Sequence, residues 1–389
     1  MGVAAYNKTS NTANGTDGVN AGSSALPKDG SVALATGSLF VGGKITDNLG
    51  AFVQYTYDNY SSLDPVSGKW HGHSHSDNLD LRYADRWIGL DKDLIFGVTV
   101  NNNPTVQDVW NSAPAWTSPY VPNIPRGDAA TNVGPTPLIY GLGQSVAGAG
   151  AYAYWNKLLY AELSFYQSAD TGLKSLFSHG FETTDMTKIS GSNPYWRLAL
   201  NHEWGPHSAM LGLFGMVIKP FDDPADPVGP TNRNSDVGID AQYQYILNPH
   251  AITVTASGVN EKIRYPSFKW DPNDPSYSAE SSNATDTLRH TRLKASYVYR
   301  AKYGASLAYY DTGGSSNPLV FDPDGLGLAA NPGTRIYVPE VFWLPVQNIR
   351  IGAQYWKYSE LMGASANYAG DGRNAKDNDT LFIYTWAAY

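Results

Sequence analysis

The chain has 389 residues and a composition unusual for a water-soluble enzyme, with 27 Tyr, 11 Trp, 38 Gly, 16% charged residues and no cysteine. The lack of cysteine excludes disulfides, Cys-ligated zinc, iron–sulfur clusters and a thioether-attached haem within this chain. The formal charge of -8 argues against a nucleic-acid surface, which needs clustered Lys and Arg.

No run of 18 apolar residues marks a membrane-crossing helix, and MGVAAYNKTS lacks the basic and apolar regions of a signal peptide. What organises the chain is period-2 alternation. In DVGIDAQYQY (236–245), Asp236, Gly238, Asp240, Gln242 and Gln244 fall on one face of an extended strand, and Val237, Ile239, Ala241, Tyr243 and Tyr245 on the other. Taken in chain order, the pattern predicts sixteen strands, at 2–7, 32–44, 50–57, 78–89, 93–101, 145–155, 158–168, 194–204, 208–218, 235–246, 250–262, 286–300, 304–312, 333–343, 348–358 and 379–389. Their connections alternate strictly between seven short turns, such as DK at 91–92 and NK at 156–157, and eight long loops rich in Gly, Pro, Asn, Asp and Ser. A soluble all-β sandwich has no reason to keep its long loops at one end, whereas outer-membrane barrels have short periplasmic turns and long outer loops. The expectation is therefore one domain over 1–389, an all-β, transmembrane up-and-down antiparallel β-barrel of about 16 strands in the bacterial outer membrane. Lipid would surround it, and closure would leave no strand edge unpaired.

Projected inward, the alternation lines the lumen with Asp80, Arg82, Arg86, Arg197, Asn201, Glu203, Asp236, Asp240, Arg292, Lys294, Arg350 and Gln354. Two readings stay open for this wall: a wetted, mutually neutralised lumen, or acidic and basic arcs whose field orients permeants or docks a partner. The run KWHGHSHSDN places His71, His73 and His75 in the second long loop, where an extended chain would put three imidazoles on one side. That is either a polar loop or a weak surface metal site. The third long loop (L3, 102–144) is about 43 residues with little alternation, and loops of that length are uncommon unless functional. Its opening, NNNPTVQDVWNSAPAW, carries Trp110 and Trp116, with Asp108 and Arg126 to set charge, and the third loop of a sixteen-stranded porin folds into the barrel. The expectation is an inward shelf or constriction. Catalytic signatures such as GxSxG, HExxH or a P-loop do not occur, and GAGAY (148–152) reads as close packing rather than a phosphate cradle.

Several segments resemble a known family. DNLGAFVQYTYD (47–58), DLRYADRW (80–87), DLIFGVTVNNNPTVQDVWNSAPAW (93–116), VAGAGAYAYWNKLLYAELSFY (146–166), PYWRLAL (194–200), DVGIDAQYQY, RAKYGASLAYY (300–310) and the ending GRNAKDNDTLFIYTWAAY are similar to the barrel part of the bacterial fused outer-membrane cytochrome-porins. This is the family of iron-oxidising monohaem cytochromes. The resemblance implies a barrel that houses an N-terminal cytochrome segment carrying a c-type haem at CxxCH. Electrons would pass from external Fe(II) to a periplasmic electron carrier, and the protein would be a monomer. This chain departs from the pattern in having no cysteine, so no haem cofactor is expected within it; either the cytochrome segment was trimmed, in which case a CxxCH is expected upstream of Met1 in the parent gene, or this member has lost it. The other reading, from a different class, is a general diffusion porin for small polar solutes.

Overall fold

Alternating side chains commit each of these segments to a sheet with one wet and one oily face, and only closure satisfies every backbone group of such a sheet in lipid. A computed structural model describes residues 1–10, 30–63, 70–104, 134–170, 187–225, 227–266, 281–322, 329–368, 370 and 372–388. It contains β1 (Gly2–Thr9), β2 (Val32–Lys44), β3 (Leu49–Leu63), β4 (Trp70–Ile88), β5 (Asp93–Asn101), β6 (Val146–Trp155), β7 (Leu159–Ser168) and β8 (Asn193–Trp204). These are followed by β9 (His207–Ile218), β10 (Arg233–Leu247), β11 (His250–Arg264), β12 (Thr285–Tyr299), β13 (Tyr303–Gly314), β14 (Thr334–Val346), β15 (Ile349–Glu360) and β16 (Thr380–Ala387). Every strand pairs antiparallel with the next, and β16 pairs with β1 from Thr9↔Thr380 to Gly2↔Ala387, closing the barrel. Sixteen strands in one closed antiparallel sheet are what the alternation predicts.

The burial pattern assigns the faces. On β10, Asp236, Gly238 and Asp240 are buried inward while Val237 and Ile239 point out, each more than half exposed. The outer surface carries Leu198, Leu200, Leu211, Leu213, Leu307 and Val341, each between 46% and 61% exposed. In water this would be a continuous apolar patch far too large for a soluble protein, and in lipid it is the required exterior. Trp87, Trp155, Trp204 and Trp343 lie near the short-turn ends of their strands and stay exposed, forming one aromatic girdle. The chain is therefore a membrane-embedded barrel of the bacterial outer membrane.

One hairpin extends beyond the sequence reading at two boundaries, with β3 running on to Leu63, six residues past 57. β4 begins at Trp70, eight residues earlier than the alternation predicts, so the histidine run lies in a strand and not in a loop. Positions 71, 73 and 75 pair with Ser62, Asp58 and Thr56 of β3. The sequence of this part of the hairpin, rich in His, Ser, Asn and Asp, does not alternate with apolar residues, and without that alternation hydropathy does not reveal a strand.

Candidate functional site

The third loop leaves β5 at a triplet of asparagines, and all three amides are used. Asn101 accepts from the Tyr166 hydroxyl (3.0 Å) and donates to Thr99 Oγ1 (3.1 Å). Tyr166 reaches it by lying over Gly148, its register partner, where a Cβ would come within 2.3 Å of the ring. The small residues of GAGAY thus serve close packing. Asn102 accepts from the Leu79 amide (2.7 Å) and donates to the Asp77 carbonyl (2.8 Å), and Asn103 Nδ2 donates to Asn78 Oδ1 (2.8 Å).

These contacts depend on a β-bulge. Val53 pairs with Leu79 and Tyr55 with Ser76, so Asp77 and Asn78 together oppose Gln54. Both side chains of the bulge turn inward. Asp77 accepts from Gln54 Nε2 (2.6 Å), Thr56 Oγ1 (2.9 Å) and, from the far stem of L3, Gln144 Nε2 (2.8 Å). The extra residue also shifts the alternation above it, which puts His75 opposite the inward Thr56.

The returning limb of L3, residues 134–145, lies against the inner wall. Gly134, at φ +77°, packs so close to the inward Thr334 of β14 that a Cβ would be 2.6 Å from its Oγ1. Tyr140 meets the His290 ring of β12 edge-on at 5.9 Å, and His290 Nδ1 is bonded to Thr312 Oγ1 (2.9 Å). The Leu138 amide donates to Glu261 Oε2 of β11 (2.9 Å), and the Ile139 amide to Asp236 Oδ2 of β10 (3.1 Å). Ile139 and Leu142 then bury themselves among Tyr195, Phe214, Met216, Ile218 and Val259 before the chain enters β6. A segment that touches inward side chains of β14, β12, β11 and β10 in turn lies inside the barrel mouth. Asp108, Trp110, Trp116 and Arg126 fall outside the described residues.

Below the limb the wall is charged. Arg197 of β8 is fully buried and reaches across β9 to Asp240 Oδ2 of β10 (2.8 Å), with its guanidinium 5.6 Å from the Phe214 ring. The passage exists because the intervening residue is Gly212, where a Cβ would sit 2.2 Å from Asp240 Oδ1. Glu162 of β7, opposite Arg197 in register, accepts from Tyr160 (2.7 Å) and Ser164 (3.1 Å). Asp80 pairs with Arg82 (2.7 Å) and accepts from Thr99 (2.7 Å), while Arg86 pairs with Asp93 (2.7 Å) near the short-turn end.

The β12–β16 wall has the opposite balance. Arg292 and Lys294 line β12, the first with its guanidinium 5.6 Å from the Tyr310 ring. Arg350 of β15 lies 3.7 Å from the Phe342 ring centre and pairs with Glu340 (2.7 Å). Glu340 also accepts from Tyr384 (2.5 Å), Ser306 (2.7 Å) and Gln354 (3.3 Å). Toward the mouth this wall becomes apolar, with Ile336, Val338, Trp356, Tyr358 and Phe382 buried in one cluster.

Salmonella typhi OmpF, in complex with daunomycin, is 12% identical over 99% of this chain and 96% of that one, with a TM-score of 0.50. The fold is that of an outer-membrane porin. The outer membrane channel DcaP of Acinetobacter baumannii is 13% identical, with 100% and 94% of the chains covered and a TM-score of 0.47. An anion-selective porin from Comamonas acidovorans is 10% identical, with 100% and 98% covered and a TM-score of 0.47. No sequence-family model matches the chain, and no curated protein sequence does.

In this porin-like barrel the predicted lumen residues do not form one cluster. Asp80 and Arg82 make one pair, Arg197 and Asp240 another, Asp236 holds the L3 limb, and Arg292, Lys294 and Arg350 share the other wall. His71 and His73 carry no described side chain, and His75 is half-buried in β4. Sequence reasoning missed Asp77, Glu162, Glu261 and Glu340. Glu162, Glu261 and Glu340 fall on the inward face by strict alternation within β7, β11 and β14, and extending the projection to those strands would have found them. Asp77 faces inward only because of the bulge, for which the sequence holds no signal.

Proposed function

We propose that the chain is an outer-membrane channel of the general porin kind, passing small polar solutes by diffusion through a lumen whose width is set by L3. The observation that carries this reading is the 134–145 limb, clamped inside the mouth at Gly134, Leu138, Ile139 and Gln144. The limb takes up space inside the mouth, and the charged wall beneath it gives the passage an uneven field. Arg292, Lys294 and Arg350, only partly buried on one wall, give the lumen a positive side that orients dipolar solutes as they cross. Planar-bilayer recording of the purified, detergent-folded chain tests this. Stepwise single-channel conductance in KCl is the expected result, and a membrane that stays silent while the protein inserts overturns it.

A second reading follows from the resemblance: the barrel is the sleeve of a cytochrome-porin that carries electrons across the outer membrane, from Fe(II) to a periplasmic carrier, as a monomer. What supports it is the resemblance of the quoted segments to that family; the aromatic residues Trp356, Tyr358 and Phe382 are already packed against Leu361 and Ala375 of this chain. Residues of this chain do not fit the haem itself. Covalent attachment needs the two cysteines of CxxCH, and there is none. Of the described histidines, His290 is wedged between Thr312 and Tyr140, and His207 and His250 are bonded to Tyr243 and Tyr297 (2.8 Å each). In this reading any haem belongs to a separate segment. The codons upstream of Met1 decide it: a CxxCH in frame supports the sleeve, and a signal peptide joined directly to GVAAY removes it.

A further inference from the structure

Where L3 docks, the barrel buries a group of oxygens that the channel reading leaves unused. Asp236 and Glu261 are direct register partners on the inner face of β10 and β11, each 2% exposed. Asn234, two residues nearer the mouth on the same face and 6% exposed, donates Nδ2 to Glu261 Oε2 at 2.8 Å. The Leu138 amide takes the same Glu261 oxygen, and the Ile139 amide takes Asp236 Oδ2. That leaves Asp236 Oδ1 and Asn234 Oδ1 buried with no hydrogen-bond partner among the described residues. Neither carboxyl makes an ion pair with a described Lys or Arg, whereas the neighbouring Asp240 has Arg197.

Two adjacent carboxyls in a dry wall cannot both stay charged without compensation. One proton held between them would neutralise half of the charge, but it would leave the Asn234 amide oxygen with nothing to bind. A cation uses both orphaned oxygens and both negative charges. An all-oxygen set of two carboxylates and one amide carbonyl, with no nitrogen or sulfur, belongs to the hard divalent ions. Of these Ca²⁺ tolerates irregular geometry and Mg²⁺ does not. We propose that Asn234, Asp236 and Glu261 form a Ca²⁺ site at the point where the third loop meets the barrel wall, tying the loop to β10 and β11 through the two amides its ligands also accept. The site stands whether the barrel passes solutes or sheathes a partner.

The test is isothermal titration of the metal-stripped, full-length barrel in detergent with CaCl2. Wild-type protein should show one saturable site. D236N/E261Q should weaken it by about 100-fold or more, because both charged ligands are lost. The exposed-turn variant D47N should bind as wild type does. N234L keeps both carboxylates and removes only the amide oxygen, and should weaken binding by about 10-fold. Heat-modifiable migration on gels establishes which variants are folded, and if the double variant does not fold, N234L and E261Q carry the test. Absence of a saturable site in the wild type, or equal affinity in wild type and the folded ligand variants, overturns the proposal.

Discussion

On the β8–β10 wall a guanidinium and its carboxylate are both removed from water, Arg197 at 0% and Asp240 at 2% side-chain exposure. On the β14–β15 wall only the carboxylate is, with Glu340 at 0% and Arg350 at 27%. The first pair is dry, crosses a whole strand over Gly212, and works as a structural strut. The second keeps its cationic end in contact with the lumen, so that the charge is available to whatever passes. Burial therefore separates charges that hold the barrel from charges that address its contents, although both look alike as inward Arg residues in alternating strands.

The strongest way to break this contrast is to remove the two arginines in turn. Arg197→Ala leaves Asp240 buried beside Gly212 and should cost about 3–5 kcal/mol of unfolding free energy in denaturant titration of the reconstituted barrel. Arg350→Ala should cost about 1–2 kcal/mol, since Glu340 keeps the donors Tyr384, Ser306 and Gln354. Equal losses would mean that the walls do not differ. Gly212→Val comes next, at about 1–3 kcal/mol by the same measurement, because the new side chain enters the space between Asp240 and Arg197. Replacing both Arg292 and Lys294 by Glu should leave stability nearly unchanged and move the reversal potential in a KCl gradient toward cation selectivity. A loss of folding instead of selectivity would place these residues with the struts. The smallest effect is expected outside the lumen. Trp204, stacked between His202 (5.4 Å) and His207 (5.3 Å) in the girdle, should cost about 0.5–1.5 kcal/mol on truncation to Ala without touching conductance.

The barrel itself was legible because each strand must show two opposite faces, and DVGIDAQYQY shows them without interruption. Inward placement of Asp236, Asp240 and Arg197 followed from the same alternation. The pairings did not follow, because the Arg197–Asp240 contact skips a strand and exists only through a glycine, and the placing of Asp236 opposite Glu261 depends on a register that turn lengths, not local composition, decide. The extent of the β3–β4 hairpin was hidden for a third reason. The sequence of that stretch lacks apolar alternation, and a strand rich in His, Ser and Asn looks like a loop.

The bulge at Asp77–Asn78 has a consequence for how such barrels can be recombined. Its two inward side chains are receptors for Asn103 and Gln144, and the backbone beside them binds Asn102, so both stems of L3 are keyed to an irregularity in β4 and not to their own strands. A graft of 102–145 alone onto another porin would arrive without its socket. The transferable module is the segment from the β3–β4 hairpin through L3, including Gln54 and the bulge, and a chimaera cut at the visible loop boundaries would splay the loop even with every loop residue preserved.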